Sequence, residues 1–314
     1  MERERSGRLW INRLAVVIGA VTLVAATPPV SGQTSPGGTL DRIRDTGRIR
    51  LGYRTDARPF SYRDESGTAA GYSIALCQQI ADAVKSELQV ATLAVEWVPL
   101  AAEGRFRAAR QGTIDLLCGA DTVTLERRSE VAFSIPIFPG GIGALLRSDA
   151  PLRLREVLSG RGQTFRPTWR ASASQVLQAR AFSAVTGTTA EKWLAGRIND
   201  LSVLTTIVPV DVYDAGVDAL LARRVDALFG ERAILLDTAR RHNGGRDLVV
   251  IDRLFTYEPL ALALAPHDEP FRLFVDRTLA RFYASGSLGA LYTKWFGEPD
   301  ESAVTFFRWN TLSD

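Results

Sequence analysis

Histidine, cysteine and long apolar runs are all scarce in this 314-residue chain, and each shortage closes a line of function. The two histidines, His242 and His267, lie in unrelated contexts, and there is no His-x-x-x-His or Cys-x-x-Cys spacing, so no metal site is expected. Beyond Ala26 no stretch approaches the roughly 20 apolar residues that span a bilayer. No lysine- or arginine-rich block marks a nucleic-acid surface, and no nucleic-acid partner is expected. Catalytic signatures are missing too. "GYSIA" lacks the last glycine of a nucleophile elbow, and Ser73 within it starts an amphipathic helix. "GGIG" at 140–143 lacks the strand-turn-helix setting of a dinucleotide site and reads as loosening a crossing between lobes. Neither a catalytic residue nor a cofactor is expected.

The start of the chain is more informative. "MERERSGRLWINR" is followed by an apolar run from Leu14 to Ala26, a Pro-Pro break and small residues around Gly32. Residues 1–32 therefore read as a secretory signal peptide, with an uncleaved anchor as the alternative, and the mature protein is expected in the periplasm. Removing those four arginines and two glutamates takes the formal charge from +3 to +1. Export places the two cysteines where disulfides persist. An even count fits one bridge, and two buried thiols are the alternative. Cys77 lies on the buried face of a helix and Cys118 ends the strand that this helix should cover, so they are expected to be bridged.

After a lead-in over 33–46, hydrophobic periodicity alternates between strand and helix. "GRIRLGYR" reads as a strand and "GYSIALCQQIADAVKSEL" as an amphipathic helix. "LAVEWV" reads as a strand, "AEGRFRAARQG" as a short helix ended by Gly112, and "TIDLLCGA" as a buried strand. This βαβαβ order implies a parallel sheet covered by helices. The second half repeats it from "AEKWLAGR" to "DLVVID", then runs through "PLALALAP" to two closing helices. The expected fold is α/β with two lobes, each a mainly parallel sheet flanked by helices, joined by two extended crossings near 140–148 and 255–263. Lobe I takes 47–146 and 257–297. Lobe II takes 147–256, with an insert at 151–180 that has no clean period. In the tail over 298–314, Phe306, Phe307 and Trp309 are expected to dock on a lobe.

The chemistry gathers at two strand-to-helix turns. In "ADTVTLER" Ala120 and Thr122 share a strand face, Thr124 is a natural helix N-cap, and Arg127 can swing back over the strand end. A free carboxylate is well held by such a set, because charge-assisted bonds are about twice as strong as neutral ones. "GTTAEK" gives Thr188 and Glu191 capping-box spacing and puts Thr189 beside the free N–H groups of a helix start. Capping alone is the plainer reading, and a surface salt bridge is the plainer role for Arg127. Arg128 is expected to face solvent.

From Gly47 to Gly297 the chain resembles the family 3 extracellular solute-binding proteins, the periplasmic amino-acid receptors of ABC importers. The anchors are "GYRTDARPFSY", "GYSIALCQQIADAV", "DLLCGADTVTLERRSEVAFS", "VTGTTAEKWL", "RRVDALFGER" and "GSLGALYTKWFG". The resemblance implies a type II periplasmic-binding-protein fold with a ligand held between the lobes. It puts the carboxylate-clamping arginine at Arg127 and a second carboxylate contact at Thr189. Glu231 stands where the family usually has the aspartate that meets an α-ammonium, with an exposed helix-start acid as the alternative. Ala120 stands where many relatives have a hydroxyl. Arg54 and Arg105 match positions that are arginine in relatives taking acidic amino acids, although Arg105 alone would pass for a helix-surface residue. Tyr213 completes the expected binding set.

A guanidinium suits a second carboxylate, and two arginines without one would repel each other in a desolvated cleft. The expected function is a monomeric importer component that closes on glutamate or aspartate and delivers it to an ABC permease in the inner membrane. Two alternatives stand beside it. Periplasmic dehydratases of the cyclohexadienyl or prephenate type share this fold, and Glu231 could serve them as acid or base. A ligand-sensing subunit for a membrane receptor would use the same closed form.

Overall fold

Strands buried almost continuously and one apolar stripe per helix produce two large sheets, each covered by helices, beside a small sheet. The computed structural model describes residues 37–160, 171–242 and 246–313. The expected signal peptide at 1–32, the start of the lead-in and part of the expected insert lie outside the described residues. In chain order the first half runs α1 (Thr39–Thr46), β1 (Arg48–Arg54), β2 (Asp56–Ala57), β3 (Ser61–Arg63), β4 (Ala69–Ala70), α2 (Tyr72–Glu87), β5 (Ala94–Leu100), α3 (Arg105–Arg110), β6 (Leu116–Thr122), α4 (Leu125–Arg128), β7 (Ala132–Phe133) and β8 (Phe138–Gly140). The chain continues through β9 (Ile142–Arg147), α5 (Leu152–Ser159), α6 (Ala171–Leu177), β10 (Ala181–Val185), α7 (Thr189–Leu201), β11 (Thr206–Val210), α8 (Tyr213–Leu221), β12 (Ala227–Glu231), α9 (Arg232–Arg241) and β13 (Leu248–Val250). It closes with β14 (Glu258–Leu264), α10 (Glu269–Ala284), α11 (Ser287–Phe296) and α12 (Glu301–Asn310).

The first sheet has the order β5-β1-β6-β14-β7, with β8 also paired to β14; the second has β11-β10-β12-β9-β13. In each, the strands of the α/β units are parallel, β5 and β6 on β1, β11 and β12 on β10. The crossing strands enter from the other lobe and so run against them: β14 is antiparallel to β6, and β9 to β12. This is the two-lobed type II periplasmic-binding-protein architecture, with mixed sheets.

Helix α2 shows why the first lobe holds together. Ile74, Cys77, Ile80, Ala81 and Val84 recur at helical spacing and are all buried, while the opposite face carries Gln79, Asp82 and Lys85. Cys77 is bridged to Cys118 on β6, with Cα atoms 6.2 Å apart. Below the helix, Phe60, Tyr72, Phe138 and Phe296 form a close aromatic cluster. In the second lobe, Phe182, Trp193, Phe229 and Phe255 play the same part.

Several local expectations shift. The first lobe ends earlier than residue 146: Ile142–Arg147 is β9 and pairs with β12 and β13, so the chain changes sheets at Gly141. The cause is the second crossing running alongside. A Cβ on Gly141 would sit 2.2 Å from the Thr256 carbonyl, and one on Gly140 would sit 2.8 Å from Glu231 Oε2. These glycines permit close approach of the two crossings rather than loosening one. The lead-in contains α1, capped at its end by Gly47 at φ 63. The expected insert carries α5, with Leu154 and Leu158 buried, and α6. The tail helix α12 docks through Ala303 and Phe307, the latter against Tyr283 and Tyr292. Trp309 does not dock and is 81% exposed. Two residues beyond Phe307 it falls about 200° around the helix, on the far side.

The disulfide closes a span of 41 residues. Chain entropy puts its contribution near 4 kcal/mol. Urea unfolding of the mature protein with and without reductant should show a loss of that order, and thiol titration in denaturant without reductant should find no free thiol. Two titratable thiols would contradict the bridge.

Candidate functional site

Strand ends and helix starts from both lobes converge on one small cavity between the sheets, of about 20 Å³, tightly closed by its lining. All eight expected binding residues line it: Arg54, Arg105, Ala120, Thr122 and Arg127 from the first lobe, Thr189, Tyr213 and Glu231 from the second. Each is positioned by its local structure. Arg54 ends β1, Arg105 begins α3, and Thr122 ends β6. The Thr124 side chain caps α4 by accepting from Arg127 N–H at 3.1 Å, which turns the Arg127 guanidinium back to donate to the Thr122 carbonyl at 2.9 Å. Arg128 stays exposed. Thr189 begins α7 behind its N-cap Thr188, and Tyr213 begins α8.

The capping box at α7 is modified. Thr188 accepts from Glu191 N–H, and Glu191 reaches back past the cap to accept from Gly187 N–H at 2.9 Å. That leaves the Gly187 carbonyl facing the first lobe, where Arg105 Nη1 (3.3 Å) and Arg127 Nη2 (3.4 Å) donate to it. Lys192 pairs with Glu126, and Arg58 with Asp237 at 3.3 Å, across the same cleft. The lobes are closed on each other.

The arginines are buried, not superficial: Arg54 is 2% and Arg105 3% exposed. Such charges need partners in a low-dielectric site, and the protein supplies them. Asp56 takes Nε and Nη2 of Arg54 at 2.7–2.9 Å, and Asp121, fully buried, takes Nε of Arg105 at 2.6 Å. The expectation that these arginines would repel each other without a ligand carboxylate is corrected by these pairs. Among the described residues, Nη1 of Arg54 and Nη2 of Arg105 have no hydrogen-bond acceptor within the protein. Arg127 lies over the Phe106 ring at 4.7 Å, and burial together with nearby Arg105 pulls its pKa down to about 10. Burial raises Tyr213 to about 12 against the opposing pull of Arg54, whose guanidinium is 5.8 Å from its ring.

Glu231 ends β12 and caps α9. Its carboxylate accepts from Gly141 N–H at 2.8 Å and Ala233 N–H at 3.3 Å, so it is a helix cap but not an exposed one. Burial pushes its pKa up to about 7, with Glu258 adding repulsion and the two backbone donors opposing.

Glu258 is the residue that sequence reasoning missed. It begins β14 and lines the same cavity. Its Oε2 accepts from Thr122 Oγ1 at 2.9 Å and from Thr189 Oγ1 at 2.8 Å, one hydroxyl from each lobe. Its Oε1 accepts from Thr256 Oγ1 at 2.9 Å, and that hydroxyl oxygen in turn accepts from Ile142 N–H on the other crossing. Asp56 and Asp121 were missed as well. Their only local signal is an acid one or two residues from a singled-out position, in "RTD" and "ADT".

Residues 49–298 match the bacterial extracellular solute-binding proteins, family 3. The L-glutamate/L-aspartate-binding protein of Pseudomonas aeruginosa is 28% identical over 91% of this chain and 89% of its own length. The glutamate/aspartate import solute-binding protein of Salmonella typhimurium is 26% identical over 85% of this chain and 82% of its own. Among solved structures, the ancestral amino acid-binding protein AncCDT-1, a precursor of cyclohexadienyl dehydratase, superposes with a TM-score of 0.67. That match covers 83% of this chain and 100% of the other at 23% identity, and it shows the fold alone. The named sequence relatives are binding proteins, which supports a binding protein over the dehydratase alternative. With the match running through both lobes, this chain belongs to the bacterial extracellular solute-binding proteins, family 3.

Proposed function

We propose that this protein is the periplasmic receptor of an amino-acid ABC importer and that its lobes close on an acidic amino acid, glutamate or aspartate. One observation carries the ligand class: three guanidiniums, of Arg54, Arg105 and Arg127, line a single closed cavity. Asp56 and Asp121 hold Arg54 and Arg105 rigid while leaving a nitrogen of each unspent. A distal carboxylate fits those nitrogens, and Arg127 with the two threonine hydroxyls fits the α-carboxylate. The names of the two sequence relatives point the same way. The mechanism is hinge closure, in which the ligand bridges donors from the first lobe to Thr189 and Glu231 of the second.

A second reading rests on the same aspartates. Because Asp56 and Asp121 already neutralise two of the three arginines, a neutral amino acid whose side chain accepts hydrogen bonds is electrostatically admissible. Acid and amide pairs of nearly equal shape separate the two readings. Calorimetry should show glutamate or aspartate bound about a hundredfold or more tighter than glutamine or asparagine, since an amide turns donors toward donors. Equal affinities would favour the neutral ligand.

Arg127→Ala should weaken binding by about 2–5 kcal/mol while leaving the fold intact, because it strands a buried ligand charge. Arg128→Ala, on the exposed side of α4, should bind as the wild type does.

The proton on Glu231 gives a pH test. Between an ordinary carboxylate value near 4.5 and its folded value of about 7, the folded protein holds a proton that the unfolded chain has lost. This contribution to stability is therefore complete below about 4.5 and is lost as pH rises through about 7. Urea unfolding of the ligand-free protein should show stability declining across that window, and Glu231→Gln should flatten the decline. Identical slopes in both proteins would contradict a raised Glu231 pKa.

A further inference from the structure

We propose that Glu258 is a specificity-determining residue that receives the α-ammonium of the ligand, and that it does so by exchanging the hydroxyls of Thr122 and Thr189 for it. This deepens the function proposed above and rests on an amino acid being the ligand.

The observation is a conflict over hydrogen-bond donors. A threonine hydroxyl has one proton to give. In the closed site Thr122 and Thr189 both give theirs to Glu258 Oε2, at 2.9 and 2.8 Å, and their oxygens lie 3.4 Å apart. Neither proton is then available for a ligand carboxylate, although these hydroxyls line the cavity beside Arg127 and Glu258. A carboxylate entering beside Arg127 must take those two protons. Glu258 Oε2 then loses two charge-assisted bonds inside a closed cleft, which is costly unless new donors replace them. An ammonium carried one bond away from the ligand carboxylate supplies three. A carboxylate and an ammonium on the same carbon are thus the chemistry that completes the exchange with every group paired.

The competing acceptors are committed or turned away from the cavity. Asp56 holds Arg54 through both oxygens, whereas Asp121 gives Oδ1 to Arg105 and its unpartnered Oδ2 packs at Gly119, outside the cavity lining. Glu231 has each carboxylate oxygen bonded to a backbone N–H, donors that cannot turn elsewhere. Glu258 is bonded only to hydroxyls, of Thr122, Thr189 and Thr256, and hydroxyl protons rotate freely. It is the carboxylate of this cavity whose partners can be exchanged. Glu231 then acts mainly by fixing Gly141 and α9, with a smaller share of the ammonium's field.

The test compares each amino acid with its amine-free analogue, glutamate with glutarate and aspartate with succinate, by calorimetry on the wild type, Glu258→Gln and Glu231→Gln. The wild type should prefer the amino acid about a hundredfold or more, since a site left with unpaired polar groups rejects the analogue that lacks them. Glu258→Gln, which keeps the shape and removes the charge, should cut that ratio at least about tenfold, by weakening the amino acid and leaving the dicarboxylate unchanged or tighter. Glu231→Gln should change the ratio less. A ratio is internal to each variant, so partial unfolding does not mimic the effect. An unchanged ratio in Glu258→Gln, a larger drop in Glu231→Gln, or a wild type indifferent to the amine would overturn the proposal. If the wild type instead prefers a neutral amino acid, the acidic-ligand reading fails, and the same ratio measured with that amino acid and its deaminated analogue still decides the role of Glu258.

Discussion

Burying three guanidiniums in one cleft is the constraint around which the rest of this protein is arranged. Desolvating a charge costs several kcal/mol even after relaxation, so each arginine requires a carboxylate, an aromatic face or a carbonyl within bonding distance. Arg54 finds Asp56, and Arg105 finds Asp121 and two carbonyls. Among the described residues Arg127 has no carboxylate hydrogen-bonded to it, and it relies on the Thr122 and Gly187 carbonyls and the Phe106 ring. That difference matters for the site. Two arginines are pre-organised by the protein's own acids, and the third is the one most dependent on what enters the cleft.

The crossings beside this cleft are crowded as well. Gly140 and Gly141 let the two connecting segments touch, which brings the start of β14 against the end of β6 and the N-terminus of α7. Glu258 therefore sits where both lobes and both crossings meet, bonded to a hydroxyl of each lobe. A carboxylate in that place reports on closure directly: the bond to Thr189 exists only when the second lobe is docked. Glu231, on the other side of the same junction, is tied to Gly141, so it anchors the second lobe's helix α9 to the crossing at the wall of the cavity it lines.

Most of the α/β framework was legible in the chain because its cause is local. Strands β1, β5, β6, β11, β12 and β14 follow from short apolar runs, several buried almost continuously between helical layers, and helices α2, α7, α8, α9, α10 and α11 from apolar residues at every third and fourth position. The elements that escaped are the short strands β2, β3, β4, β7 and β8, the helices α1, α5, α6 and α12 of the expected lead-in, insert and tail, and β10, whose "AFSAV" lies between an expected insert and a capping motif. Trp309 was misplaced because aromatic content was read without its angular position on α12.

The sequence by itself determined which residues would stand at the strand ends and helix starts of the cleft, since Thr124, Thr188 and the strand periods place Thr122, Arg127 and Thr189 within a few positions of a recognisable cap. It also made a Cys77–Cys118 bridge the expectation, from the even count and the helix face, with two buried thiols as the alternative. Only the tertiary structure decided what those residues meet. Glu258 lies 136 positions from Thr122 and 69 from Thr189, and no spacing rule links residues so far apart. Asp121 became the partner of Arg105 through the packing of α3 on β6, and the lobe boundary fell at Gly141 because a second segment passes against it. Periodicity fixes which face of an element is buried; the partners on that face are chosen by how the lobes close.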